Sequence, residues 1–203
     1  MSKASGEDPY FLYPARAWPH KNHENLLYAH KIYRKRLGER AWKLVLTAGH
    51  DWRSERLKSV EERELNRIYQ SASALIFPSR YEGFGIPLIE AMYFGLPIIC
   101  GRGGSQPEVA GEAALYVDVE DPEDISGAMI RLTEDRILRE QLVAKGKRQL
   151  QTFILKTEIE KLTRVFEKSG STKFRVQGLQ QIPRRLAILF LDLLYGALAL
   201  CRK

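Results

Sequence analysis

An α/β fold built on a parallel, doubly wound sheet is predicted by three observations: short apolar runs alternate with helical patterns, turn residues separate them, and no internal repeat is visible. Tyr10 to Ala15 reads as the first strand and Trp42 to Ala48 as the second. Between them Leu26, Leu27, Tyr33 and Leu37 mark the buried face of a helix that begins near Asn22 and stops at Gly38. Leu65, Ile68, Tyr69 and Ala72 give another helical face, followed by a short buried strand from Ala74 to Pro78. Pro87 suits the first turn of the next helix, and Gly95 with Pro97 ends it. Pro97 to Cys100 and Ala114 to Val117 are two further strands, and Asp121-Pro-Glu-Asp opens a helix with an N-cap and a proline at its first position. From there to about Lys168 the pattern stays helical, with a break near Gly146.

Composition narrows the classes. A chain of 203 residues with 44% apolar residues is one domain, or one domain with an appendage. The net charge of +7 is unevenly spread. Residues 1–60 carry twelve Lys and Arg against six Asp and Glu, residues 61–170 fourteen against eighteen, and residues 171–203 six against one. These are two local patches with no aromatic-interleaved stripe and no nucleic-acid module, so a nucleic-acid partner is not expected. Cys100 and Cys201 lie far apart, which argues against a disulfide framework or a metal cluster and for a reducing, cytoplasmic setting. Met1 to Pro9 is polar and lacks the apolar core of a secretory signal.

Three divisions follow: a polar N-terminal segment 1–9, a folded domain 10–168, and a basic and apolar tail 169–203. Within the tail, Leu186 to Cys201 is apolar except for Asp192 and small residues, and Arg184, Arg185, Arg202 and Lys203 bracket it. It is short for a bilayer span. Two readings stay open: peripheral contact with the inner membrane face through 182–203, or a helix that packs on protein.

The chemistry concentrates in Arg80-Tyr-Glu-Gly-Phe-Gly-Ile-Pro-Leu-Ile-Glu90, where seven residues separate Glu82 from Glu90 across the start of a helix. Gly83 and Gly85 let backbone approach a ligand, and the helix N-terminus behind them offers N–H groups and a positive dipole end to a diphosphate. On the residues alone, Glu82 is also readable as a helix-start carboxylate, Glu90 as a surface charge, and Arg16 and Lys21 as solvated loop charges. His20 and His23 lack a third ligand and read as turn and cap residues, so no metal is expected. Gly103-Gly104-Ser105 lacks the lysine of a phosphate loop and reads as a tight turn, with Pro107 and Glu108 opening a short helix.

An ordered series carries a resemblance. It runs through Phe11-Leu-Tyr-Pro-Ala-Arg16-Ala-Trp-Pro-His-Lys21-Asn-His, Leu44-Val-Leu-Thr-Ala-Gly-His-Asp, Leu75-Ile-Phe-Pro-Ser-Arg-Tyr-Glu-Gly-Phe-Gly, Gly95-Leu-Pro-Ile-Ile-Cys and Ser105-Gln-Pro-Glu-Val-Ala-Gly-Glu-Ala-Ala-Leu. Over roughly residues 10 to 168 the chain resembles the donor-binding C-terminal half of the retaining family 4 (group 1) glycosyltransferases, which have the GT-B fold. The resemblance implies a Rossmann-like domain that binds a nucleoside-diphosphate sugar and transfers the sugar with retention, without a metal or other cofactor. It assigns Arg16 and Lys21 to the diphosphate, Glu90 to the ribose, and Glu82 to the sugar hydroxyls and the anomeric centre. The backbone at Gly83 and Gly85 and the turn at Gly104 and Ser105 are then expected to approach the sugar or pyrophosphate. Phe84 and Ile86 are expected to pack locally, with the alternative that backbone N–H groups beside them touch the sugar, and Glu108 matches a family glutamate. The Trp-Pro-His-Lys-Asn-His stretch leans toward mannosyl transfer in glycan or polysaccharide synthesis.

Two departures stand out. Only Trp52 to Val60 separates His50-Asp51 from the helix that starts at Glu61, too little for the helix and strand found there in relatives. An edge strand is therefore expected to be missing, and with it part of the base pocket. The family also holds its acceptor in an N-terminal half, and this chain begins where the linker to that half would end. The resemblance then implies a donor half that needs a separate acceptor domain, with a fragment, a split enzyme and an inactive remnant as the open alternatives.

Overall fold

The computed structural model describes residues 8–16, 18–47 and 62–153. The chain divides into two units, Met1–Gln149 and Leu150–Lys203, and the site described below lies in the first. Five strands, β1 (Tyr10–Tyr13), β2 (Lys43–Leu46), β3 (Ala74–Phe77), β4 (Ile98–Cys100) and β5 (Ala114–Tyr116), form one sheet in the order β2-β1-β3-β4-β5. Every pairing is parallel, with Phe11 opposite both Leu44 and Ala74, and Leu75 opposite Ile98. The helices are α1 (His23–Leu37), α2 (Glu62–Ser71), α3 (Ile86–Phe94), α4 (Gln106–Ala110), α5 (Pro122–Glu134) and α6 (Arg136–Gln151). The α/β, parallel, doubly wound expectation therefore holds.

Burial explains the strand sequences. Every residue of β3 and β4 is buried, as a parallel strand covered on both faces requires, and both read as unbroken apolar runs. By contrast, β2 exposes Lys43, half-buries the rest, and pairs only with β1 among the described residues, so it forms one edge. Tyr33 of α1 ties that edge to the helices on one side. Its hydroxyl accepts from the Trp42 N–H at 2.7 Å and donates to Thr133 Oγ1 at 2.7 Å, whose own hydroxyl donates to the Met129 carbonyl.

The helix ends follow their sequence signals. Asp121 caps α5 by accepting from the Glu123 N–H at 2.8 Å, and Gly85 and Gly95, both left-handed, bracket α3. Two expectations need correction. Leu27 is 41% exposed, and the inward row of α1 is Leu26, Ala29, Tyr33 and Leu37, because Leu27 sits one step around the helix from Leu26. Gly146 does not interrupt the last helix: α6 runs through it, and a Cβ there would stand 3.2 Å from Met92 Cγ, so this glycine lets α6 approach α3. The shortened segment after β2 and the tail, including 182–203, lie outside the described residues. No described helix is long and apolar enough to cross a membrane.

Candidate functional site

The strand order reverses between β1 and β3, and in open α/β sheets the crevice at the carboxyl ends of such strands is where ligands bind. The loop after β1 passes through a 3₁₀ turn, Pro19–Lys21, and then through Asn22, whose φ of 59° is left-handed. Asparagine tolerates that region better than most side chains. Asn22 is 2% exposed, and its side-chain amide donates to the carbonyls of Pro78 at 3.2 Å and Val119 at 2.6 Å, which pins the turn over the ends of β3 and β5. From the strand side, the Tyr13 hydroxyl donates to the Lys21 carbonyl. Burial raises the Tyr13 phenol well above its ordinary range, so it remains a donor.

This scaffold delivers the Lys21 ammonium to Glu82. Nζ lies 2.5 Å from Glu82 Oε1 and 5.2 Å from the Phe77 ring centroid, with the two side chains 17% and 10% exposed. Glu82 is fixed from below by the loop after β4. The Ser105 N–H and hydroxyl both donate to the Glu82 carbonyl, at 3.0 and 3.2 Å, and Glu82 forms an isolated parallel bridge with Gly104. That contact demands glycine: a Cβ would lie 1.7 Å from the Arg80 oxygen at Gly103 and 2.2 Å from the Glu82 oxygen at Gly104. Fully buried Gln106 completes the loop, donating to Ser79 O at 2.8 Å and Gly103 O at 3.1 Å and accepting from the Gly101 N–H at 3.1 Å.

The remaining sequence-predicted residues are distributed around this centre. Arg16 is exposed and its side chain makes no hydrogen bond or ion pair among the described residues. Glu90, half-buried on α3, accepts from the Tyr69 hydroxyl of α2 at 2.7 Å. Gly83 is exposed, and a Cβ there would meet nothing within 4 Å, whereas Gly85 has a φ of 85° and faces Leu88 at 3.1 Å. Phe84 and Ile86 are half-buried. His20 is exposed, and no group of three His, Cys, Asp or Glu among the described residues is placed to hold a metal ion. Burial pushes the Cys100 thiol up to about 12, which leaves it an inert part of the core.

The structure adds residues whose part in the site the sequence reading missed. Arg80 clasps Glu120 through two bonds, Nε to Oε1 at 2.5 Å and Nη2 to Oε2 at 2.9 Å. It also donates from Nη1 to the Pro19 carbonyl at 2.9 Å, and its backbone N–H donates to His20 O at 2.8 Å. The guanidinium holds the Glu120 carboxyl below the usual carboxylate range. Asn22 carried one usable signal, an asparagine directly before a helix where a left-handed residue fits; Gln106 and the Arg80–Glu120 clasp carried none.

Comparison with known proteins agrees with this picture. The sucrose-phosphate synthase of Thermosynechococcus elongatus superposes with a TM-score of 0.63 over 80% of this chain and 45% of its own, at 23% identity. The C-terminal domain of a glycosyl transferase group 1 family protein from Francisella tularensis superposes with a TM-score of 0.56 over 72% of this chain and 86% of its own, at 17% identity. The fold class is thus the Rossmann-like unit of the GT-B glycosyltransferases. Residues 53–149 match the family described as Glycosyl transferases group 1. The O-antigen chain mannosyltransferase B of Escherichia coli is 32% identical over 159 residues, covering 71% of this chain and 42% of that protein. The chain spans less than half the length of the curated relatives it matches.

Proposed function

We propose that the chain is the donor-binding part of a retaining, family 4 glycosyltransferase that takes a nucleoside-diphosphate sugar. The observation that carries this reading is the convergence of Lys21 and Glu82 at the strand-order reversal, in front of the N-terminus of α3. Lys21 and the exposed Arg16 take up the charge of the diphosphate as it leaves, and Glu82 orients sugar hydroxyls and stabilises positive charge at the anomeric carbon. Glu90, positioned by Tyr69, accepts from the ribose; a carboxylate has acceptor capacity for both. Gly83 supports the same reading, since nothing in the protein requires a missing side chain there and a closely approaching donor would. Backbone N–H groups around Phe84, Gly85, Gly104 and Ser105 line the approach.

Catalysis then rests on charge stabilisation and positioning, without a metal or other cofactor. The named mannosyltransferase relative supports a mannosyl donor. The acceptor is held by a second half, and the 203-residue chain alone is expected to bind nucleotide weakly and transfer nothing. Calorimetric titration with GDP- and UDP-sugars tests the reading on the wild type, Glu90→Ala and Lys21→Ala. Weak binding that both substitutions reduce supports it, and absence of binding to either nucleotide rejects a functional donor site.

A further inference from the structure

We infer that Glu82 makes the site discriminate between a nucleoside-diphosphate sugar and the bare nucleoside diphosphate, by withholding Lys21 from phosphate until sugar hydroxyls engage the carboxylate. The inference rests on the diphosphate role proposed for Lys21. Its ground is the setting of the ion pair. Lys21 and Glu82 are 17% and 10% exposed, whereas in each of the other described ion pairs both side chains are at least 39% exposed. An ammonium bonded at 2.5 Å to a carboxylate, with an aromatic ring on another side, has its charge largely neutralised. A diphosphate arriving there competes with the carboxylate for Lys21 and meets a like charge, and weak screening in a buried setting enlarges both effects.

Glu82 cannot swing away with its loop, because Ser105 holds its carbonyl twice and Gly104 bridges its backbone. With the backbone held there, the partner that replaces Lys21 at the carboxylate is supplied by the ligand. A nucleotide sugar brings hydroxyl donors that satisfy the carboxylate oxygens in place of the ammonium, leaving Lys21 to the phosphates. A bare nucleoside diphosphate brings none to this carboxylate, since its only sugar hydroxyls are those of the ribose, which go to Glu90. Once the sugar has been transferred, Glu82 reclaims Lys21 and the product is released more readily than its charge alone would allow.

The opposite signs expected of two neighbouring substitutions test this. Calorimetry on the 203-residue chain with GDP, UDP and their sugar conjugates should show Lys21→Ala weakening the bare diphosphate. Glu82→Gln should tighten it, by about three- to ten-fold, the range a partly buried ion pair commands. The preference for the sugar conjugate over the bare diphosphate should narrow in the same variant. Should Glu82→Gln fail to fold, Glu82→Asp withdraws the charge from Lys21 and should tighten the bare diphosphate by about two-fold. Unchanged or weaker binding of the bare diphosphate by the folded variant, with Lys21→Ala still weakening it, overturns the inference and leaves the donor site standing. Binding by no variant, the wild type included, removes the donor site and the inference together.

Discussion

The loops after β3 and β4 both carry glycines at the carboxyl edge of the sheet, for opposite reasons. In the loop after β4, Gly103 and Gly104 are required by the fold, because backbone oxygens of Arg80 and Glu82 occupy the space a side chain would need. In the loop after β3, Gly83 faces open space. The same residue type thus marks a structural clamp in one loop and room for something outside the protein in the other.

Gly103→Ala should have the largest effect on folding. Its Cβ would collide with a backbone oxygen that cannot rotate away, and a loss of about 3 kcal/mol is expected in urea or guanidinium unfolding. A loss below that of an ordinary surface change would break the contrast between the loops. Gln106→Ala comes next, at about 2 kcal/mol, since it leaves the buried Gly101 N–H and the Ser79 and Gly103 carbonyls short of partners. Tyr69→Phe, which removes one bond to Glu90, should cost about 1 kcal/mol and also weaken nucleotide binding. Gly83→Ala should be the smallest in stability, within about 0.5 kcal/mol, yet weaken nucleotide-sugar binding several-fold in calorimetry. Full-strength binding by Gly83→Ala would mean that the open space is mere solvent.

The contrast also shows what could be read from sequence. Strands β1 to β5 and the caps of α3 and α5 were legible because apolar runs, prolines, glycines and Asp121 act within a few residues of themselves. Glu82 stood out through its spacing from Glu90 after a strand end, whereas Lys21, readable alone as a solvated loop charge, was singled out only by the family resemblance. Their bond to each other was not visible, since their loops meet only after β1 and β3 pair. Asn22 reaching Val119, Arg80 reaching Glu120 and Gln106 reaching Ser79 are hidden for the same reason: no local period or propensity records a contact between distant loops. Leu27 failed differently, as an apolar residue placed next to the true inward row.

The interior position of β1 has a kinetic consequence. The first strand of the chain sits between β2 and β3, so one flank is closed by β2 and the other stays open until Ala74–Phe77 arrives. Parallel pairings between distant segments form slowly, and Lys21 cannot meet Glu82 before this one does. The ion pair is therefore expected to form late, after the rate-limiting barrier. In stopped-flow refolding, Glu82→Gln should leave the folding rate unaltered and register only in the unfolding rate.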